Sequence, residues 1–413
     1  MSRYLLTWEL GLNLGHLARL LPIASQLKAR GHSVLVAVRE IPAAAPVFGP
    51  VGIPFVQAPH LPRGFPHPER ACGYADILLS QGWNDRQILW GLTQNWHNLI
   101  RMFRPDAVLA NFSPTAQLAT RIAAIPTIVI GNGFELPPAT DPLPPFPGFS
   151  WATADKAAAS ESAALINANA VLKRFTQPEL GSLSELIAVA MTRYVTLPEL
   201  DHYGARRNVQ YVGPLLGALP TKTIDWPQGS KRIFACLRPD TSHLDAILEA
   251  LQSSAAAAVC FTPGFTTIQL QRYANAGMVY SSQLVDLNHL APDADACVSY
   301  GAEGTVATFL LAGVPQLISP WDVEAQMAAR RIEALGAGVV LRGIQTAQSV
   351  AESLEHLCTE TGFRQKAKEF SQHHRDYCAQ ATANQVIDLM ESIATPRAAG
   401  EASPRELAKS VAR

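Results

Sequence analysis

Two glycine-punctuated stretches of this sequence each run into a helix-like segment, and each carries groups that could handle a proton or an anion. GLNLGH, residues 11–16, ends on His16, where a neutral imidazole can face a cleft and accept a proton. A histidine that only caps or packs the helix start would leave the same local pattern. SYGAEGT, residues 299–305, sets Gly301 and Gly304 ahead of a helix expected after Thr305. The unpaired N–H groups of such a helix start and the positive end of its dipole suit an anion, and a diphosphate fits that charge distribution. A tight turn that needs glycine only for its backbone angles is the other reading. GLNLGH lacks the G-x-G-x-x-G spacing of a dinucleotide fingerprint, so a nicotinamide cofactor is weakly indicated at best. His32 follows the helix-ending Gly31 and reads as structural.

Both loops sit between a strand and a helix. Tyr4 to Trp8 reads as a strand that leads through Glu9–Gly15 into a helix carrying Leu17, Leu20, Leu21, Ala24 and Leu27 at i, i+3, i+4 spacing. SVLVAV, residues 33–38, is a β-branched run of the kind buried on both faces of a parallel sheet. The pattern recurs with DAVLA (106–110), a helix through Leu118 and Ile122, and TIVIG (127–131). Six prolines between Pro137 and Pro147 enforce a loop, either functional or a solvated surface excursion, and Ala152 to Phe175 reads as helix. A second series follows: IFACL (233–237), a helix HLDAILEALQSS, AVCF (258–261), DACVSYG, the helix after Thr305, PQLIS, a helix through Arg331, and GVVL (338–341).

The expectation is an α/β protein of two Rossmann-like, doubly wound parallel-sheet domains facing across a cleft. The first spans 1–213, a linker spans 214–230, the second domain with its C-terminal helices spans 231–394, and 395–413 reads as a disordered tail. Ligands of such sheets gather at the carboxyl ends of the strands, where both glycine loops lie.

Composition narrows the partners. A chain of 413 residues exceeds one ordinary core, and 48% hydrophobic against 16% charged residues is a globular balance. Lys plus Arg number 33 against 34 for Asp plus Glu, which leaves no basic field for nucleic acid or acidic lipid. No apolar run reaches the roughly 18 residues of a membrane span, and Glu9 and His16 interrupt what a signal peptide would need. Six cysteines without a C-x-x-C pair argue against a zinc framework or disulfides. A cytoplasmic enzyme acting on small molecules is the expected setting.

GHLARLLPIASQLKARGHSV at 15–34, YVGPL at 211–215 and SYGAEGTVATFLLAGVPQLISPWDVEAQMAARRIEALGAGVVL at 299–341 occur in an order that resembles GT-B glycosyltransferases. The branch is the one that includes UDP-glucuronosyltransferase-like and antibiotic-tailoring enzymes, and the resemblance covers most of the chain. It implies a nucleotide-diphospho-sugar, UDP- or dTDP-linked, held mainly by the C-terminal domain, and a hydroxyl-bearing acceptor held by the N-terminal domain. It further implies that His16 deprotonates the acceptor, that transfer inverts the anomeric centre, and that neither a metal nor a resident cofactor is needed. Arg238, Val285, Tyr300, Gly301, Ala302, Gly304, Thr305, Glu324 and Gln326 become the donor-side candidates. Trp8, Asn132 and Phe134 become acceptor-side candidates by location, with core packing as the alternative for these aromatics and for Trp96.

The chain also departs from the family pattern. Tyr300 stands for the loop histidine and Ala302 for the second glycine, while Glu303 brings a carboxylate that must turn toward solvent or a cation to sit beside a diphosphate. The acidic-Gln pair becomes Glu324 and Ala325, with Gln326 one place later, and Thr308 replaces a ribose-binding glutamate. Asn111 stands where relatives place an aspartate against the histidine; an amide fixes a tautomer but does not stabilise imidazolium as a carboxylate does. Glu9 is a candidate for that missing charge, or else faces solvent or the acceptor. Arg238 either offsets diphosphate charge or is an ion-paired surface residue. Two further functions share these features: a nucleotide-sugar hydrolase or epimerase, and a non-catalytic partner protein of the same fold.

Overall fold

The computed structural model describes residues 1–12, 14–65, 70–187, 191–217 and 219–394. The expected tail, 395–413, lies outside the described residues.

Two six-stranded, fully parallel sheets form the frame. The first contains β1 (Arg3–Trp8), β2 (Ser33–Val38), β3 (Phe55–Gln57), β4 (Ala107–Asn111), β5 (Thr127–Gly131) and β6 (Thr192–Tyr194), in the order β3-β2-β1-β4-β5-β6. The second contains β7 (Arg232–Cys236), β8 (Ala257–Phe261), β9 (Met278–Ser281), β10 (Ala296–Ser299), β11 (Gln316–Ile318) and β12 (Gly338–Val340), in the order β12-β11-β10-β7-β8-β9. Counted from its own first strand, each sheet has the doubly wound order 3-2-1-4-5-6, in which the chain reverses direction between its first and fourth strands. Apart from the leading Arg3 and Arg232, the residues of β1, β4, β7 and β10 are buried, as helices packed on each side require.

This is the expected fold, with three local differences. The edge strands β3, β6 and β9 were not apparent in the sequence. The helix after β10 begins at Glu303, two residues before Thr305, so Glu303 belongs to its first turn. The last helix, Ala379–Ile393, was grouped above with the C-terminal domain, but its Val386, Ile387 and Met390 pack into the core formed by Leu17, Leu20 and Ala24 of the first domain. Arg30 and His32 bind its Glu391, which fixes its register on the helix Gly15–Ala29 and gives His32 its structural role.

The proline-rich loop is packed against the other domain. Its Phe146 and the following Phe149 join Phe134 and Met327 in one buried cluster, with Met327 coming from the C-terminal domain's helix Val323–Leu335. Arg330 of that helix lies 4.3 Å over the Phe149 ring and donates to the Pro147 carbonyl at 3.1 Å.

Candidate active site

A cavity of about 810 Å³ opens between the domains. Loops at the carboxyl ends of strands from both sheets line it, contributing His16 and Arg19 after β1, Arg238 after β7, Tyr300 and Glu303 after β10, and Glu324 after β11.

His16 sits in the first turn of Gly15–Ala29 and is 7% exposed. Its ring stacks on Trp8 at 5.2 Å and 21°, and Phe112 lies 6.2 Å away at 30°. The loop backbone closes against the ring: Gly11 has φ +78°, and a Cβ there would come within 2.5 Å of His16 Nε2. Burial, aided by the charge of Arg19, pushes the imidazole pKa down to about 3, so His16 is neutral near pH 7.

The tautomer follows from its neighbours. Asn111, at the end of β4, accepts from Arg19 through Oδ1 at 3.3 Å and turns its NH₂ group to His16 Nδ1 at 3.2 Å. Nδ1 is then an acceptor and the ring proton sits on Nε2. The carboxylate beside Nδ1 belongs to Glu135, whose Oε1 is 3.7 Å away. Glu9 is directed elsewhere: its Oε2 accepts the backbone N–H groups of Thr115 and Ala116 at 2.9 and 3.2 Å, closing the start of the helix Pro114–Ile122. Burial raises its pKa to about 7 against the pull of those bonds.

Arg19 organises the cavity floor. One guanidinium nitrogen lies 2.6 Å from both Glu135 oxygens, and the other donates to Glu303 Oε2 at 2.6 Å, across the cleft. Glu303 therefore turns to a cation, one of the two options its position allowed, and it also accepts from Asn132 Nδ2 at 3.1 Å. The same Asn132 amide reaches Glu324 Oε1 at 3.2 Å, while Asn132 Oδ1 accepts from the backbone of Phe134 and Glu135. Burial, together with Asp322 and Glu135, raises the Glu324 pKa to about 8. Glu303 Oε1 is buried without a protein partner among the described residues.

Among the residues expected on the donor side, Gly301 has φ +98°, and a Cβ there would meet Ala325 at 3.3 Å, so glycine lets the loop approach the helix Val323–Leu335. Ala302 precedes the helix Glu303–Leu311 without capping it by a side chain. Arg238 leaves β7 bonded to Asp240 at 3.1 Å, with its guanidinium 5.1 Å from the Trp321 ring and 6.0 Å from that of Tyr300. Val285, Gly304 and Thr305 also line the cavity. Gln326, Trp8 and Phe134 are not among its lining residues: Trp8 lies beneath His16, and Phe134 belongs to the interdomain cluster. Trp96 is fully buried on the other face of the first sheet with Leu5 and Val108.

Arg19 and Glu135 carry no sequence motif. Arg19 follows His16 by three residues in a helix and so shares its face, which was the available signal. Glu135 had none, because only the pairing of β4 with β5 brings its loop to Asn111.

The two sheets and their cleft are the GT-B architecture. Over 94% of this chain and 100% of the other, the fold superimposes on the glycosyltransferase VinC in complex with dTDP, with a TM-score of 0.67 at 18% identity. The glycotransferase of kitacinnamycin gives a TM-score of 0.69 at 14% identity over 95% of this chain. Residues 275–393 match the family described as the C-terminal domain of erythromycin biosynthesis protein CIII-like proteins. Aclacinomycin-T 2-deoxy-L-fucose transferase of Streptomyces galilaeus is 32% identical over 120 residues, 28% of this chain and 26% of that protein. Sterol 3-beta-glucosyltransferase of Eremothecium gossypii is 36% identical over 94 residues, 23% of this chain and 8% of that protein. The chain thus spans about a quarter or less of these two relatives. The resemblance read from the ordered motifs is borne out in fold and in C-terminal sequence.

Proposed function

We propose that this chain is a glycosyltransferase that moves a sugar from a nucleoside-diphosphate donor to an acceptor hydroxyl, with inversion and without a catalytic metal. The observation that carries the reading is one cavity holding both a neutral imidazole on the acceptor side and, opposite it, a helix N-terminus beside Arg238. In the proposed reaction the acceptor oxygen attacks the anomeric carbon as the bond to the diphosphate oxygen breaks, and the diphosphate leaves with the electron pair. The N–H groups at the start of Glu303–Leu311 and the Arg238 guanidinium offset its charge. The hydroxyl proton goes to His16 Nε2.

That step needs the ring proton on Nδ1 instead. Glu135 Oε1, 3.7 Å from Nδ1, is the carboxylate oxygen that such a proton and the resulting imidazolium would face. Glu135 thereby takes the part considered for Glu9. Glu324 and Glu303 are suited to accept donor-sugar hydroxyls. The solved relative complexed with dTDP supports the dTDP-linked form of the donor, and the transferases among the relatives do not favour hydrolysis, epimerisation or a non-catalytic role. Calorimetric titration with UDP, dTDP, GDP and CMP, with NAD as control, tests the reading. Micromolar binding of UDP or dTDP, weakened in Arg238→Ala, is expected, and no binding of any diphosphate would overturn it.

A further inference from the structure

Away from the cleft, the C-terminal end of the helix Thr361–His373 brings two imidazoles to one carboxylate. His374 Nε2 lies 3.0 Å from Glu199 Oε2, and His373 Nε2 lies 3.8 Å from Glu199 Oε1. The three ligand atoms all fall within 4.8 Å of one another. The two rings meet edge to face at 4.7 Å, and His374 is seated against Phe370 at 4.6 Å. Glu199 comes from the first domain, on the short turn Pro198–Leu200 that follows β6. Arg331 of the second domain donates to its carbonyl at 3.0 Å and holds that turn in place.

We propose that Glu199, His373 and His374 form a binding site for a divalent transition metal, Zn²⁺ foremost, that ties the two domains together. Two imidazoles and a carboxylate are a ligand set zinc takes, with a fourth position left for water. Bonds of about 2.0–2.2 Å in a tetrahedron set neighbouring ligand atoms roughly 3.3 Å apart, so the three ligand atoms, already within 4.8 Å of one another, need only draw together to enclose an ion. An ion pair with His374 alone accounts for one carboxylate oxygen, whereas the second imidazole faces the other. The side chains of His374 and Glu199 are 12% and 28% exposed and already positioned, while that of His373, at 73%, is free to rotate onto an ion.

A groove of about 440 Å³ lined by Leu311, Ser371, His374 and Tyr377 opens beside the cluster and gives a water ligand room. None of these residues lines the interdomain cavity, so the ion acts on how the domains sit together and not on the reacting atoms.

The test uses tag-free, metal-stripped full-length protein titrated with Zn²⁺ by calorimetry and with Co²⁺ by visible absorption. Saturable one-to-one binding at micromolar concentration is expected, with the intense bands of tetrahedral Co²⁺ and a rise in Tm on adding Zn²⁺. His373→Ala and Glu199→Gln should each weaken binding at least tenfold and remove the rise in Tm. Because His373 is exposed, His373→Ala should match the wild type in circular dichroism and in metal-free Tm. Affinity and spectrum unchanged in both variants, or no saturable binding up to millimolar metal, would overturn the proposal.

Discussion

Replacing Arg19 with methionine tests the central electrostatic claim, because this one side chain answers two carboxylates from opposite domains. Arg19 and Glu135 are 9% and 4% exposed at their side chains and Glu303 is 16%, with contacts of 2.6 Å to each carboxylate. Removing one partner of such a buried pair leaves uncompensated charge, which costs about 3–5 kcal/mol. Methionine keeps much of the apolar stem, so packing loss adds little. The triple variant Arg19→Met, Glu135→Gln, Glu303→Gln removes the stranded charges with the cation and should recover at least half of the loss. The assay is equilibrium urea unfolding at pH 7.5, comparing midpoints at constant m. Limited proteolysis should find the single variant cleaved faster at the cleft, since the Glu303 arm is an interdomain contact. If the single variant stays within about 1 kcal/mol of wild type, or the triple variant is less stable than the single, Arg19 does not neutralise this site.

Three further outcomes follow from the same geometry. Glu324→Gln should leave stability unchanged near pH 4.5 and raise it progressively toward pH 8, since the native carboxyl holds its proton to about 8 while the unfolded one releases it near 4.5. The gain should reach roughly 2–4 kcal/mol, read from urea midpoints across pH, and a pH-independent difference would contradict the assignment. His16→Ala should reduce transfer at least a hundredfold while UDP or dTDP affinity changes less than about twofold, because the proposed reaction sets the imidazole at the acceptor hydroxyl; comparable losses in both would place it with the donor. Gly301→Ala meets Ala325 and a left-handed backbone together, costing about 1–3 kcal/mol locally. Calorimetry should show nucleoside-diphosphate affinity falling about tenfold, and unchanged affinity would mean that this loop does not shape the diphosphate site.

Much of this architecture was legible because strands buried on both faces are written as unbroken apolar runs. SVLVAV and TIVIG coincide with β2 and β5 to the residue. The edge strands were not legible for the opposite reason: FVQ and TRY are three residues long and partly exposed, so neither alternation nor apolarity marks them. The same contrast holds in the site. Asn111 was marked by the family resemblance, while His16 and the 299–305 loop lie at strand-to-helix junctions that spacing reveals. The carboxylate beside the imidazole does not, since Glu135 reaches it through strand pairing and Glu9, nearer in sequence, is taken by a helix start. Glu303 looked out of place beside a diphosphate until Arg19, from the other domain, supplied its cation.

The return of the last helix to the first domain governs how the chain can be made and divided. Ribosomal synthesis delivers residues at about 5–20 per second, so the nascent first domain stands with the Leu17 and Leu20 face of its first helix open until Val386 and Met390 emerge. Nearly the entire second domain is translated within that interval, and the earlier domain depends on the helix Ala379–Ile393 for its completion. A fragment cut at the linker inherits the same exposed face and should aggregate. A chimaera exchanging the first domain with that of a relative must carry two separated pieces of sequence, 1–213 and 379–393, as one unit.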